Sequence, residues 1–520
     1  MIENINKNNL EYREGENIIM NYKQFLVFLL TFLLVFTAGG AAAAKTITVA
    51  TSNDALTLDP YMLSETPTNS VNFNMFEGLV FFDSELNIMP GLAKSWEAED
   101  DTTWVFYLRE GVEFHNGEEM TAEDVKFSFE RAKNHPKSQQ KSSVADVESV
   151  SVRDKYTVEI KTTYPAPVLT RKIQSIVIYS KDYVEANSDQ YLQNNPVGTG
   201  PYMLESWNKD EEMVLTFFED YWREKPEVDR AVLRPISNPA TRVAALLSGE
   251  VDVLIDLPVQ DMEKVENAEG VNVISIPDTR LIFLGMNYQE GPFADKRVRQ
   301  AVYHAINEDA IVEHVMNGHA YPASQLSPDF VFGHDPDLDR LEYDPEKAKK
   351  LLAEAGYPDG FTVQFDSSND RYVNDGQIAQ AVAIQLARVG INVELNVQTK
   401  SAHFDKILAR NTDFYLLGLS SSGDGGSALE LLVHTPDDKY GRFNLGNYSN
   451  KEIDNVIEEA ARTIDEDKRL NLLQKAARMT MEDVGLIPLH FQEQLYAVKN
   501  IVNWTPRPDK YLKLYNIGFK

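Results

Sequence analysis

The 520-residue chain contains no cysteine. That absence excludes thiol nucleophiles, thiolate zinc sites, disulfides and a lipid-modified N-terminal cysteine. Positive charge is scarce: 50 Lys and Arg stand against 80 Asp and Glu, for a formal net charge of −30. Nucleic-acid phosphates and anionic lipids are gripped by clustered Lys and Arg, so this balance argues against both as partners. The N-terminal apolar stretch, FLVFLLTFLLVF at 25–36, is twelve residues long, and a bilayer-spanning helix needs about 20. The sequence has no G-x-x-x-x-G-K-[ST], no H-E-x-x-H and no G-x-S-x-G, so the motifs of phosphate loops, zinc proteases and serine hydrolases are missing. Its nine histidines are scattered. His304, His314 and His319 are spaced so that no two share a helix face at i, i+4, and His115 lies in a turn. SSSGDGG at 420–426 is rich in glycine but has no lysine for a phosphate.

What remains is ordinary globular composition, with 43% hydrophobic and 25% charged residues. The length suits about three domain-sized units. Lys23, the short apolar run and the small residues TAGGAAAA form a secretory signal peptide. Ala42 and Ala44 fit the small-x-small cleavage pattern, so residues 1–44 are expected to be removed and the mature chain to begin at Lys45. Met20 would open a signal of ordinary length, leaving residues 1–19 as a possible extension. Without a cysteine to carry lipid, the product is expected to be free in a periplasm.

The mature sequence alternates strand and helix patterns. KTITVAT at 45–51 and TWVFYL at 103–108 read as strands. Thr121 and Asp124 form a capping box before Val125, Phe129 and Ala132. Asn238-Pro239 and Asp344-Pro345 are caps followed by proline at the first helical position, and Gly249 and Gly356 close those helices. FTVQF, a helix from about 376 to 389, INVELNV, SAHFDKILAR and DFYLLGL follow in order. This succession predicts parallel strands with right-handed crossovers. Ser449 and Glu452 predict a capping box for the next helix, and another helix fills about 466–482. There is no fixed-period repeat and no long Gly/Ser/Pro linker, so short segments are expected to cross between units.

Six blocks, in order, carry a resemblance. They are GLAKSWEAEDDTTWVFYLREGVEFHNGEEMTAEDVKFSFERAKN (91–134), NPVGTGPYMLESW (195–207), YWREKPEVDRAVLRPISNPATRVAALLSGEVDVL (221–254), FLGMNYQEGPFADKRVRQAVYHAINEDAIV (283–312), YDPEKAKKLLAEAGYPDGF (343–361) and IPLHFQEQLYAV (487–498). Together they resemble the family 5 extracellular solute-binding proteins of dipeptide, oligopeptide and nickel ABC importers. FDSSNDRYVND at 365–375 is similar to the peptide-binding branch. The resemblance implies a two-lobed periplasmic-binding-protein fold of type II, α/β throughout, with an extra inserted subdomain in the larger lobe. It places lobe 1 at 45–280 with the subdomain at about 81–187, lobe 2 at 281–490, and a return to lobe 1 at 491–520. Crossings are expected near Leu281–Leu284 and near Phe491.

The implied function is capture of a peptide or peptide-like solute between the lobes, without catalysis, metal or cofactor, and delivery to an ABC permease. The permease and its ATPase must be separate proteins, and the receptor is expected to be monomeric and not to bind nucleic acid. Alternatives are the same fold tuned to glutathione, haem, an opine or a nickel chelate, a periplasmic chaperone or signalling receptor, and a secreted hydrolase.

The resemblance also suggests ligand contacts. Relatives hold the peptide carboxylate with an Arg after the first strand of lobe 2, and Arg371 matches it; the other reading is a salt bridge to Asp370 or Asp375. Tyr372 would pack beside the ligand or serve the core. Relatives hold the ammonium with an Asp in a G-D-x-x-D-P-like loop. Here LSSSGDGGSALE lacks the Asp-Pro, Asp424 is the loop's only acid before Glu430, and Ser421 or Ser422 could take the family position; a solvated turn is the other reading of Asp424. Arg280 at the crossing would face the cleft or form an ion pair there. Tyr61 would line the cleft or pack beneath the first strand.

Overall fold

A computed structural model describes residues 44–520 except Ser64, Ser422 and Asp438. The expected signal peptide therefore lies outside the described residues, apart from Ala44. The unit from Lys45 to Lys520 is organised by an eleven-stranded sheet. Its long path uses ten strands, labelled in chain order: β1 (Thr46–Thr51), β2 (Tyr202–Asn208), β3 (Glu212–Phe217), β4 (Arg230–Pro235), β5 (Val253–Ile255), β6 (Val271–Met286), β7 (Phe361–Ser368), β8 (Ile391–Gln398), β9 (Phe414–Ser420) and β10 (Ile487–Lys499). They lie in the order β8-β7-β9-β6-β10-β5-β1-β4-β3-β2, with Ala320–Pro322 also paired to β10.

Local chemistry explains many of the elements. β1 pairs in parallel with β4 and β5, its Ile47 and Val49 fully buried. β7 pairs in parallel with both β8 and β9, as the strand–helix succession predicts. The Thr121 amide donates to Asp124 Oδ2 at 2.8 Å, completing the capping box of the helix Ala122–Asn134. Asn238 caps Pro239–Ser248, and Gly249 ends it with φ +84°, a conformation that side chains resist. The helix Lys451–Arg462 differs from expectation by one residue. Asn450 is its N-cap, accepting from the Glu452 amide at 3.1 Å, while the Ser449 hydroxyl accepts from Thr435 Oγ1. Both are good caps, and the neighbouring Thr435 engages the serine.

Two large hydrophobic clusters divide the unit. One includes Ile47, Val49, Phe106, Leu233, Tyr496 and Val498. It extends into a four-stranded antiparallel sheet, in the order Ala93–Ala98, Thr103–Leu108, Thr157–Thr162, Val147–Asp154, with Ala122–Asn134 packed against it. The other includes Leu281–Leu284, Phe365, Phe414, Leu416, Leu489 and Phe491. β6 and β10 contribute to both clusters. They pair antiparallel from Val271↔Lys499 to Leu284↔Ile487, with a register shift between Pro277 and Leu281. At that shift the apolar pattern stops: Asp278, Thr279 and Arg280 stand on one strand, and Gln492, Glu493 and Gln494 on the other. The strands that join the two lobes are thus apolar at each end and polar between.

The lobes also meet away from these strands. Lys439 Nζ lies 4.3 Å from the Tyr164 ring centroid. Ile464 packs against the first cluster. Gly423 approaches Arg171 so closely that an added Cβ would lie 3.1 Å from its Nη1.

Candidate ligand-binding site

The turn after β7 is organised by one buried carboxylate. Asp375 Oδ2 accepts from Ser368 Oγ at 2.6 Å and from the amides of Arg371 and Tyr372 at 3.2 and 3.1 Å. This holds Tyr372 over β9, where its hydroxyl donates to the Gly418 carbonyl at 3.1 Å. A Cβ at residue 418 would sit 2.7 Å from the Tyr372 ring, so glycine is what permits the contact.

Two guanidiniums approach the Tyr372 ring, one from its neighbour in sequence and one from β6. Arg371 Cζ lies 5.1 Å from its ring centroid and Arg280 Cζ lies 5.9 Å from it. Arg280 sits beside β9 through its backbone pairing with Ser420. Burial works against its charge, Asp278 favours it and Arg371 opposes it, leaving it lowered from the ordinary arginine value. Among the described residues neither guanidinium makes an ion pair. Asp370 accepts from the Lys400 amide, Asp375 serves its own turn, and Asp278 pairs with Lys510 at 2.7 Å. The intramolecular ion pairs considered for Arg371 and Arg280 are therefore not formed. Two neighbouring unpaired cations, one half-buried, make a place where an anion relieves both desolvation and like-charge repulsion.

Residues 87–440 match the family described as bacterial extracellular solute-binding proteins, family 5 Middle. The chain belongs to that family. It is 28% identical over 489 residues to the glutathione-binding protein GsiB of Salmonella paratyphi A, covering 90% of this chain and 93% of GsiB. HbpA2 from Haemophilus parasuis superposes with a TM-score of 0.83 at 26% identity, over 91% of this chain and all of that one. The periplasmic binding protein DppA from Helicobacter pylori, solved with the peptide STSA, gives 0.75 at 26% identity, over 91% and 98%. The family fold is the two-lobed type II arrangement seen here.

Within this family fold, two expected cleft residues are placed elsewhere. Tyr61 is completely buried, donating its hydroxyl to the Val177 carbonyl at 2.8 Å and meeting Tyr179 edge-on. It belongs to the lobe-1 core because its neighbours supply both apolar contact and a hydrogen-bond acceptor. Asp424 is neither a free acid nor a solvated turn. It caps the helix Gly425–Leu432 through the Gly426 amide at 2.9 Å and forms a buried bidentate pair with Arg469, both contacts 2.7 Å. Both of its oxygens are engaged within lobe 2, and its charge is answered by Arg469.

Sequence reasoning missed Arg171 and Arg469. Arg469 lies 45 positions from Asp424 on another helix. Arg171 lies in the short helix Leu169–Ile173 and reaches Gly423 of the opposite lobe. Neither VLTRKI around Arg171 nor EDKRLNL around Arg469 gives a local sign of these contacts. Ser421 Oγ is buried without a hydrogen-bond partner among the described residues, beside the crossing strand to which its amide donates at Thr279 O. No group of three or more metal-ligating side chains occurs among the described residues, and no described helix is long and apolar enough to cross a membrane.

Proposed function

We propose that this protein is the solute-capturing component of an ABC importer, binding a peptide or peptide-like solute between its lobes and presenting it to a membrane permease. The observation that carries this reading is the pair of unpaired guanidiniums around Tyr372, placed where β6 and β10 pass between lobes. Arg371 and Arg280 receive an acidic group of the solute, and Tyr372 packs against its body. Bidentate guanidinium–carboxylate contact supplies both energy and orientation. Membership of the family supports a binding role rather than catalysis, and the peptide in DppA and the glutathione of the GsiB name support the solute class. Glutathione itself is the leading alternative to a longer peptide.

The lobes act as the units 45–280 with 491–520, and 281–490. A solute touching both favours the closed arrangement, giving the permease a shape to recognise. The receptor works as a monomer in the periplasm after removal of residues 1–44, without a lipid anchor, and its permease and ATPase are separate chains.

Native mass spectrometry of protein purified from its own host tests the reading. A co-purifying small solute is expected, with at least tenfold weaker binding of that solute in Arg371→Ala at unchanged melting temperature. Protein that carries no solute and shows no saturable shift with peptides or glutathione rejects it.

A further inference from the structure

The charges near the lobe contact are unequally satisfied. Three of its acids are already paired: Asp424 is closed by Arg469, Asp278 by Lys510, and Asp509 by Arg507. Glu493 lies 3.1 Å from His319, and Glu430 feels both Lys172 and Lys439. Three arginines are not so paired. Arg371 and Arg280 make no ion pair among the described residues, and neither does Arg171, whose Nη1 donates to the Leu86 carbonyl at 3.0 Å. Burial is the main influence on Arg171; of the acids that favour its charge, Asp424 is already matched by Arg469, and Glu466 acts only at a distance, without an ion pair to Arg171 among the described residues.

These three cations are arranged along one short stretch of lobe 2. Tyr372, with Arg371 beside it, contacts Gly418; Arg280 pairs through its backbone with Ser420; Arg171 of the opposite lobe meets Gly423. Five residue steps of extended chain span at most roughly 17 Å. The stretch therefore has guanidiniums at both ends, from different lobes, and no unpaired acid on the chain between them among the described residues. This local excess of positive charge stands out in a chain of net charge −30. It favours entry of an anion that the rest of the surface repels.

We propose that the solute is a dianion. One acidic group is held by Arg371 and Arg280, and a second, at the other end of an extended body, is held by Arg171. No ammonium is required. This rests on the solute-binding reading and specifies its substrate class. The first group sits at the crossing, between Arg280 of the unit 45–280 and Arg371 of the unit 281–490; the second adds a contact with Arg171 of lobe 1 that a monoanion cannot make.

The test uses three pools of mixed-sequence tripeptides: free, N-acetylated and N-succinylated. These carry respectively a zwitterion, one carboxylate and two carboxylates at their ends. Each is offered to the mature protein at neutral pH and read by native mass spectrometry, and the strongest hits are titrated calorimetrically. Succinylated peptides are expected to bind at least tenfold more tightly than their acetylated counterparts, and Arg171→Gln is expected to abolish that preference by weakening the succinylated peptides. Arg280→Gln is expected to weaken both. Retained melting temperature identifies folded variants. Equal or stronger binding of free zwitterions, or a succinyl preference that survives Arg171→Gln, overturns the dianion while leaving the solute-binding reading intact. Absence of saturable binding from all three pools overturns the dianion, and with it the assignment to peptide-like solutes.

Discussion

Replacing Asp424 by asparagine separates a structural acid from a ligand-binding one. Asparagine can still cap Gly425–Leu432, so the substitution removes chiefly the charge opposite Arg469. Both side chains of that pair are at most 7% exposed, and both contacts are 2.7 Å. Removing one partner of a buried, hydrogen-bonded pair leaves the other charge uncompensated, at a cost of about 3–5 kcal/mol. Asp424→Ala additionally loses the cap, for about 1 kcal/mol more. If lobe 2 unfolds as a unit of roughly 200 residues, 3 kcal/mol lowers its melting temperature by about 6–12 °C. The double variant Asp424→Asn/Arg469→Met should recover part of this, because it removes the stranded cation. Calorimetry and circular dichroism are the assays. Tryptophan fluorescence reports poorly here, since all five tryptophans lie at 96, 104, 207, 222 and 504, outside 281–490. The folded fraction of Asp424→Asn should bind solute as tightly as the parent. Stability unchanged within about 0.5 kcal/mol, together with a tenfold loss of affinity, would refute the structural assignment and return Asp424 to the ligand.

Gly418→Ala should cost about 1–3 kcal/mol by overpacking and weaken solute binding by displacing Tyr372, since its Cβ falls 2.7 Å from that ring and 2.8 Å from Ile282 Cδ1; a variant as stable and as tight-binding as the parent would contradict the close approach. His115 and His490 are pushed down to about 4 by burial. The unfolded chain therefore binds more protons between the ordinary 6.5 and about 4, and stability should fall as pH drops through that window, by up to about 3 kcal/mol for each histidine. Denaturant midpoints against pH should show this, with a shallower slope in His490→Leu; identical slopes would remove His490 from the account. Glu308 behaves oppositely: burial raises it to about 8, and neither oxygen has a hydrogen-bond partner among the described residues. Its contribution is lost as pH rises from the ordinary carboxylate range toward 8, so Glu308→Gln should gain about 1–3 kcal/mol at pH 8 relative to pH 4, and an unchanged difference between those pH values would count against the raised carboxyl.

The features legible in the sequence were local ones. A cap and its acceptor lie within three residues, an apolar stripe repeats within a few turns, and a proline sets its own φ. Hence Thr121–Asp124, Asn238-Pro239, Asp344-Pro345 and the strand–helix order around β7, β8 and β9 could be read directly, and six ordered blocks sufficed for the family. Ser449 against Asn450 marks the resolution of such reading: two adjacent residues were equally able to cap, and a contact with Thr435 decided between them. Arg371, Tyr372 and Arg280 were recognisable as a candidate set only through the family pattern, because the first and last of them lie 92 positions apart.

What the sequence by itself determined was the α/β succession, the family and the exclusion of thiol chemistry, all carried by residue types or spacings within short windows. Only the tertiary structure decided which charges are already answered. It paired Asp424 with Arg469 and Asp278 with Lys510, buried Tyr61 against Val177 and Tyr179, and brought Arg171 to Gly423 from the other lobe. Coulomb energy depends on distance in space and on local burial, and neither is written in the order of residues. An arginine in a string of letters is a charge; whether it is free to hold a solute depends on which acids the fold has already placed beside it.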